Sequence, residues 1–401
     1  MDIELVTGRV LFLALMALTG LLISRLLRLD LTLGALLSGI LFGLIVSLSD
    51  FDTGIRAHNF MPLVFYIVLP VLIFQAAWHI QPQFLVRVLI PALILAIPGV
   101  LISCFVTAAL VYIGIDHPAG FPWIAALLTG AMLAATDPVS VVAKLRDLNA
   151  PQELETLIEA ESLLNDASAV VLFGIMLSFA LGQVTSSGIR VSADFSVMFL
   201  GGILTGTVMG LVATGIAKYL GSAPAVSIIT VLTALGSFYI AEHILHVSGI
   251  ISVVVAALSS RLSLHNSSFL ESATSTWEWL GLLFNTLIFS LVGLVITHEM
   301  FIYQWLSMLI AIGAMLAARI AAVGVSALLS RGFGHPLSLR WQGMLVWGGL
   351  RGAIAIALVL SLPVELSYWW TIQSMVFGAV LFSILVQGVS AGCLAKKLKI
   401  N

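Results

Sequence analysis

Three short stretches set charged side chains among other polar ones inside apolar segments of this chain. Thr136, Asp137 and Pro138 fall in Ala134-Ala135-Thr136-Asp137-Pro138-Val139-Ser140. Glu161, Ser162, Asn165 and Asp166 fall in Glu161-Ser162-Leu163-Leu164-Asn165-Asp166-Ala167-Ser168, and Arg351 in Trp347-Gly348-Gly349-Leu350-Arg351-Gly352-Ala353. A further arginine, Arg319, stands alone in Ala317-Ala318-Arg319-Ile320. Carboxylate, hydroxyl and carbonyl oxygens suit a hard cation such as sodium, and a carboxylate can hold a proton instead. Residues four apart share a helix face, so Ser162 stacks beneath Asp166 and Glu161 beneath Asn165, two adjacent polar stripes on one helix. Pro138 removes a backbone donor and crowds the preceding turn, which frees carbonyls that a cation could satisfy. The glycines around Arg351 weaken a second helix and invite an unwound segment.

The elements that must position these groups are membrane helices. Of 401 residues, 60% are hydrophobic and 9% charged, and the mean hydropathy is +1.15. A soluble domain carries roughly 25% charged residues, so lipid is the solvent here and no soluble domain is expected. A net charge of -2 gives no reason to expect nucleic acid as a partner, and Cys104 and Cys393 lie far apart in apolar runs, which suggests no disulfide framework. Asp2 and Glu4 before the first apolar run, and Arg25 and Arg28 after it, are the reverse of a signal peptide, so that run is expected to stay as a helix.

Apolar runs fall at 9–26, 31–49, 60–78, 84–114, 121–146, 156–182, 193–219, 225–245, 248–262, 270–297, 302–329, 340–362 and 369–395, about thirteen transmembrane helices. The distribution of basic residues supports this count. With the N-terminus outside and the C-terminus cytoplasmic, the inner side receives Arg25, Arg28, Arg87, Lys144, Arg146, Lys218, Arg261, Arg331, Arg340, Lys396, Lys397 and Lys399, and the outer side only Arg9, Arg56 and Arg190. Arg319 and Arg351 then lie inside helices eleven and twelve and need partners. An ionised group at the bilayer centre costs about 2.5 to 3.5 kcal/mol, so such groups are retained where they line a polar cavity and perform a task. With helix one set aside, spans two to seven and eight to thirteen form two sets of six. The breaks in helices five and twelve then fall at unlike positions of the two sets.

Plainer readings exist for each group. Pro138 could only kink its helix, Glu161 could only neutralise an arginine, and His243, His246, His265 and His298 near span ends could simply be solvated. The glycine runs Gly39 with Gly43, and Gly202 with Gly206 and Gly210, permit close helix packing or a dimer seam. Two rival functions also fit in part. A cation channel would use polar membrane helices, but no filter motif is present; an intramembrane protease would need Asp137 and Asp166 as an aspartyl pair, whereas the Ser, Thr and Asn around them suit cation ligation better.

Thr136-Asp137-Pro138, Glu161-Ser162-Leu163-Leu164-Asn165-Asp166 and Gly348-Gly349-Leu350-Arg351-Gly352-Ala353, in this order and spacing, resemble the NhaP/NHE-type sodium/proton exchangers of the monovalent cation:proton antiporter family, over essentially the whole chain. The resemblance implies an all-α inverted-repeat fold in which residues 1–401 form one exchanger domain, with interleaved dimerisation and core subdomains; because Asn401 follows the last helix directly, no long C-terminal tail is expected. It implies a homodimer in the cell membrane that serves pH homeostasis without a cofactor. It also implies that Asp166 binds either a proton or the cation, with Ser162, Thr136 and Asp137 contributing ligands, so that sodium would sit at Asp166, Ser162 and Thr136. Asn165 resembles the neutral partner of an Asn-Asp pair associated with electroneutral, one-for-one exchange of Na+, Li+ or K+ for H+; an antiporter specific for K+ is the alternative. The motif glutamate, Glu161, is expected to pair with an arginine, Arg319 first and Arg351 second. One departure is Gln75, after Leu69-Pro70-Val71-Leu72-Ile73-Phe74, where many relatives carry an acidic residue.

Overall fold

The computed structural model describes residues 3–48, 64–115, 120–182, 188–265 and 267–400, with the backbone alone at 3–6, 47, 82 and 188–195. Asp2 and Arg56 lie outside the described residues, as do the side chains of Glu4 and Arg190. Among the described residues every regular element is helical, and the only β pairing is an isolated antiparallel bridge between Asp137 and Leu350.

The helices are α1 (Ile3–Leu27), α2 (Leu31–Leu48), α3 (Val64–His79), α4 (Pro82–Ala96), α5 (Pro98–Gly114), α6 (Trp123–Met132), α7 (Val139–Asp147) and α8 (Gln152–Ala180). They continue as α9 (Gly188–Leu220), α10 (Ala223–Ile244), α11 (Gly249–Leu264), α12 (Leu270–Val295), α13 (His298–Gly332), α14 (Leu339–Trp347), α15 (Ala353–Leu360) and α16 (Trp369–Lys397). Among the described residues, eight helical stretches are long and apolar enough to cross a membrane, and four shorter apolar helices accompany them. The chain is a multi-pass membrane protein.

The expected span at 84–114 is one stretch, Gln83–Gly114, jointed at Ile97 where Pro98 opens α5. The runs at 121–146 and 340–362 are each split into two half-helices, as Pro138 and the glycines around Arg351 require. The short run at 248–262 is a regular helix, α11, opened by Ser248, whose side chain accepts from the Ile251 N–H at 3.4 Å.

Packing divides the helices into two bundles. In one, α2 and α1 pack on α12, α9 and α10 on α11, and α11 and α12 on α3. In the other, α13 packs on α5 and α16, α4 on α8, and α6 on α5 and α8. Contact between the bundles is thin and falls mainly on α8 and α15. The glycine runs lie inside the first bundle: Gly39 approaches Ser290 and Gly293 of α12, and Gly202, Gly206 and Gly210 approach Ser248, Ser252 and Ala256 of α11. Small residues here let backbones meet within one chain.

The same partnerships recur along the chain. The α1–α2 contact matches α10–α11, α2–α12 matches α11–α3, and α4–α8 matches α13–α16. This pattern pairs α1–α8 with α10–α16 and leaves α9 over. The division expected from sequence, with the first helix set aside, is therefore corrected: with α9 set aside, the α6/α7 and α14/α15 breaks are both the fifth segment of their halves.

Candidate functional site

The two broken helices cross where their chains are extended. There the Asp137 N–H donates to the Leu350 carbonyl at 2.8 Å, the bond of the isolated bridge. Around the crossing, four helix ends meet inside the second bundle, and each is met by a side chain of suitable sign.

The carbonyl ends of the first half-helices are met by arginines. Arg351, fully buried, donates through Nη1 to the carbonyls of Ala134 and Ala135, each at 2.9 Å, just past the end of α6. Arg319 of α13 donates through Nε to the Leu345 carbonyl of α14 at 3.1 Å. Its remaining nitrogens grip Glu161 in a fork, Nη1 to Oε1 at 2.8 Å and Nη2 to Oε2 at 3.0 Å. Such two-bond pairing is the strong form of an arginine–carboxylate contact. Arg351 makes no ion pair with Glu161. Gly349 passes so close to Arg319 that a side chain there would meet the guanidinium.

The amide ends of the second half-helices face Asp137. Its Oδ1 accepts from the Val139 N–H at 3.0 Å, and its side chain packs directly on Gly352, the residue before α15. Only glycine leaves that room. Asp137 thus neutralises helix N-termini, a sufficient reason for a carboxylate there apart from any cation.

On α8, Asn165 is a hub. Its Nδ2 donates to Glu161 Oε1 at 2.8 Å and to Thr136 Oγ1 at 2.6 Å, and its Oδ1 accepts from the Thr136 N–H at 3.3 Å. Ser162 Oγ donates to the Thr136 carbonyl. Asn165 therefore spends its amide on the α6–α7 break, and Thr136 is held by α8 at its N–H, its hydroxyl and its carbonyl. Asp166 is different. It is 8% exposed, and its buried Oδ1 finds no hydrogen-bond donor in the protein.

Asp166 opens onto a cavity of about 60 Å³ shared with Thr136, Asp137, Gly352, Gln75 and Asn285. A site of that size has room for a few waters or a partly hydrated small ion. Its walls come from both bundles: α8 and the two breaks on one side, α3 and α12 on the other. Asn285 is a residue that sequence reasoning passed over. The signal was present, since it is a lone amide in the apolar run Leu282-Leu283-Phe284-Asn285-Thr286-Leu287-Ile288. Among the described residues no group of three or more His, Cys, Asp or Glu side chains could hold a metal ion; the oxygen set here suits a transported ion.

Known proteins resemble the chain over nearly its whole length. The model of the transmembrane sodium/hydrogen exchanger family matches residues 11–397. The chain is 33% identical over 385 residues to the Na(+)/H(+) antiporter NhaS2 of Synechocystis, covering 95% of this chain and 68% of that one. It is 32% identical over 418 residues to the Na(+)/H(+) antiporter NhaP of Pseudomonas aeruginosa, covering 96% and 95%. In fold it superposes on the sodium proton antiporter MjNhaP1 of Methanocaldococcus jannaschii with a TM-score of 0.84, at 20% identity and over 98% and 99% of the two chains.

Proposed function

The chain belongs to the NhaP-type branch of the transmembrane sodium/hydrogen exchanger family, and from that premise we propose that it exchanges Na+ for H+ across the membrane by competition of the two for Asp166. It is a transporter and not an enzyme, and needs no cofactor. The observation that carries the mechanism is a buried carboxylate with one oxygen left unpartnered. Glu161 is neutralised by Arg319, and Asp137 faces helix ends, but Asp166 has a buried oxygen with no donor and a cavity before it. A bare buried charge is costly, and either a proton or a cation removes the cost. Whichever one occupies the carboxylate excludes the other.

Thr136 and Asp137 line the cavity beside Asp166 and supply further oxygens for the ion, while Ser162 lies outside the lining and holds the Thr136 carbonyl. Asn165 cannot ionise, so one carboxylate exchanges one cation for one proton, and the cycle is electroneutral. Na+, Li+ and K+ are all candidates by ligand type, because their order depends on cavity size and flexibility. The thin boundary between the bundles supports alternating access, with the second bundle as the moving core and the first as the dimerisation domain. Counting each broken or jointed pair as one crossing gives thirteen among the described residues. Helices seven crossings apart then run in opposite directions, the inverted repeat. The excess of basic residues at one set of ends supports an N-terminus outside and a C-terminus in the cytoplasm.

The test is proton movement in proteoliposomes holding a preset pH gradient, with Na+, Li+ and K+ added in turn. Cation-dependent dissipation that vanishes in Asp166→Asn is the expected result. Competition further requires the apparent KM for the cation to rise as the cation-side pH falls. Dissipation by every cation in Asp166→Asn at the parental rate would move the site elsewhere.

A further inference from the structure

The wall that α3 and α12 give the cavity is mostly apolar, Leu69, Leu72, Ile73 and Ala76, and carries two amides, Gln75 and Asn285. Asn285 of α12 is half-buried and faces the same cavity, and among the described residues its side chain makes no hydrogen bond within the protein. An amide in the apolar interior of a membrane helix is costly unless something satisfies it, and the cavity that Asn285 lines has room for a partner. Gln75 of α3 lies beside it. Its Nε2 is 3.4 Å from His79 Nδ1, which leaves its carbonyl oxygen free for the cavity. Gly281, one turn before Asn285 on α12, lies against the Gln75 side chain, where a Cβ would come within 2.7 Å of Gln75 Cγ and Cδ. The glycine lets the two amides share one wall.

Resting on the proposed site at Asp166, we infer that Asn285 is a specificity-determining residue that supplies an oxygen to the bound cation from the opposite bundle, with Gln75 as its neighbour. The ion held by Asp166 and Thr136 is then completed across the gap, and the distance between the two walls measures its size. Because both amides are neutral, the wall adds oxygens without charge. One carboxylate then balances one monovalent ion, and a divalent ion carries an uncompensated charge into a low-dielectric cavity.

The experiment compares Asn285→Ala and Asn285→Thr with the parent chain in the proteoliposome assay, recording apparent KM and maximal rate for Li+, Na+ and K+ separately. In Asn285→Ala the apparent KM of the preferred cation rises about tenfold, the loss of one hydrogen-bond-sized ligand. The ratio of KM values among the three ions changes, and the maximal rate stays within about twofold. Asn285→Thr, which keeps an oxygen at the wall, recovers part of the KM and serves as the readout should the alanine variant fold poorly. Unchanged KM values and ion order in both variants, or a fall in maximal rate alone, overturn the inference. The outcome is separable from that of the site itself: if Asp166→Asn abolishes exchange while Asn285→Ala leaves KM and ion order untouched, only the role of Asn285 falls.

Discussion

At the scale of single residues, the buried charges divide by whether the protein answers them. Glu161 is held in a two-bond grip by Arg319, so removing one partner strands the other in the interior, at a cost of about 3 to 5 kcal/mol. Asp166 has no such partner for its Oδ1, so Asp166→Asn removes a charge that the fold does not compensate. Thermal unfolding in detergent at neutral pH and without added sodium is therefore expected to separate the two: Glu161→Gln lowers the midpoint sharply, and Asp166→Asn leaves it unchanged or raises it. Equal losses in both would mean that Asp166 is also a structural ion. The sequence exposed this part of the site well, because a carboxylate in a membrane helix is conspicuous whatever its partner. What it left open was the choice between Arg319 and Arg351 for Glu161. That choice depends on where α13 crosses α8, a three-dimensional fact with no local trace. Asn285 escaped notice for the opposite reason, since a single amide carries no charge to betray it.

At the scale of elements, the broken helices follow directly from composition, and their mutual arrangement does not. Pro138 and the glycines around Arg351 mark both interruptions in sequence, yet nothing local says that Asp137 and Leu350 form one backbone bridge, or that two arginines meet the carbonyl ends of α6 and α14. The paired breaks were also obscured by which helix is set aside. α1 and α9 are both apolar, and only the recurring partnerships show that α9 is the unmatched one. The crossing makes a specific demand on Gly352 and Gly349, which touch Asp137 and Arg319. Gly349→Ala pushes the guanidinium away from Glu161 and the Leu345 carbonyl, and is expected to cut exchange more than tenfold while Gly313→Ala, at an open position of α13, does not. Purified yield and initial rate together check this; equal activity in the two variants would show that Arg319 tolerates displacement.

At the scale of the whole molecule, the question is what holds the two bundles in register. Their apolar contact is thin, and among the described residues a single ion pair joins them: Lys144 of α7 reaches Asp30, just before α2, at 3.2 Å, while also donating to the Gly388 carbonyl of α16 at 2.5 Å. The pair is half-exposed, so it contributes on the order of 1 kcal/mol or less. That is too little to lock the molecule and enough to bias two arrangements up to about fivefold. If the second bundle slides against the first during each exchange, this contact must open and close with every cycle. Replacing Asp30 and Lys144 together by cysteine, in a background without the exposed Cys393, places a thiol on each bundle at the point of contact. Bridging them with a short two-headed maleimide is expected to stop sodium-dependent proton movement. Each single-cysteine variant, labelled by the same reagent, is expected to keep it. Exchange at an undiminished rate in the bridged protein would mean that this edge of the boundary is fixed and that the motion, and the route of the ion past Asp166, lies within the second bundle alone.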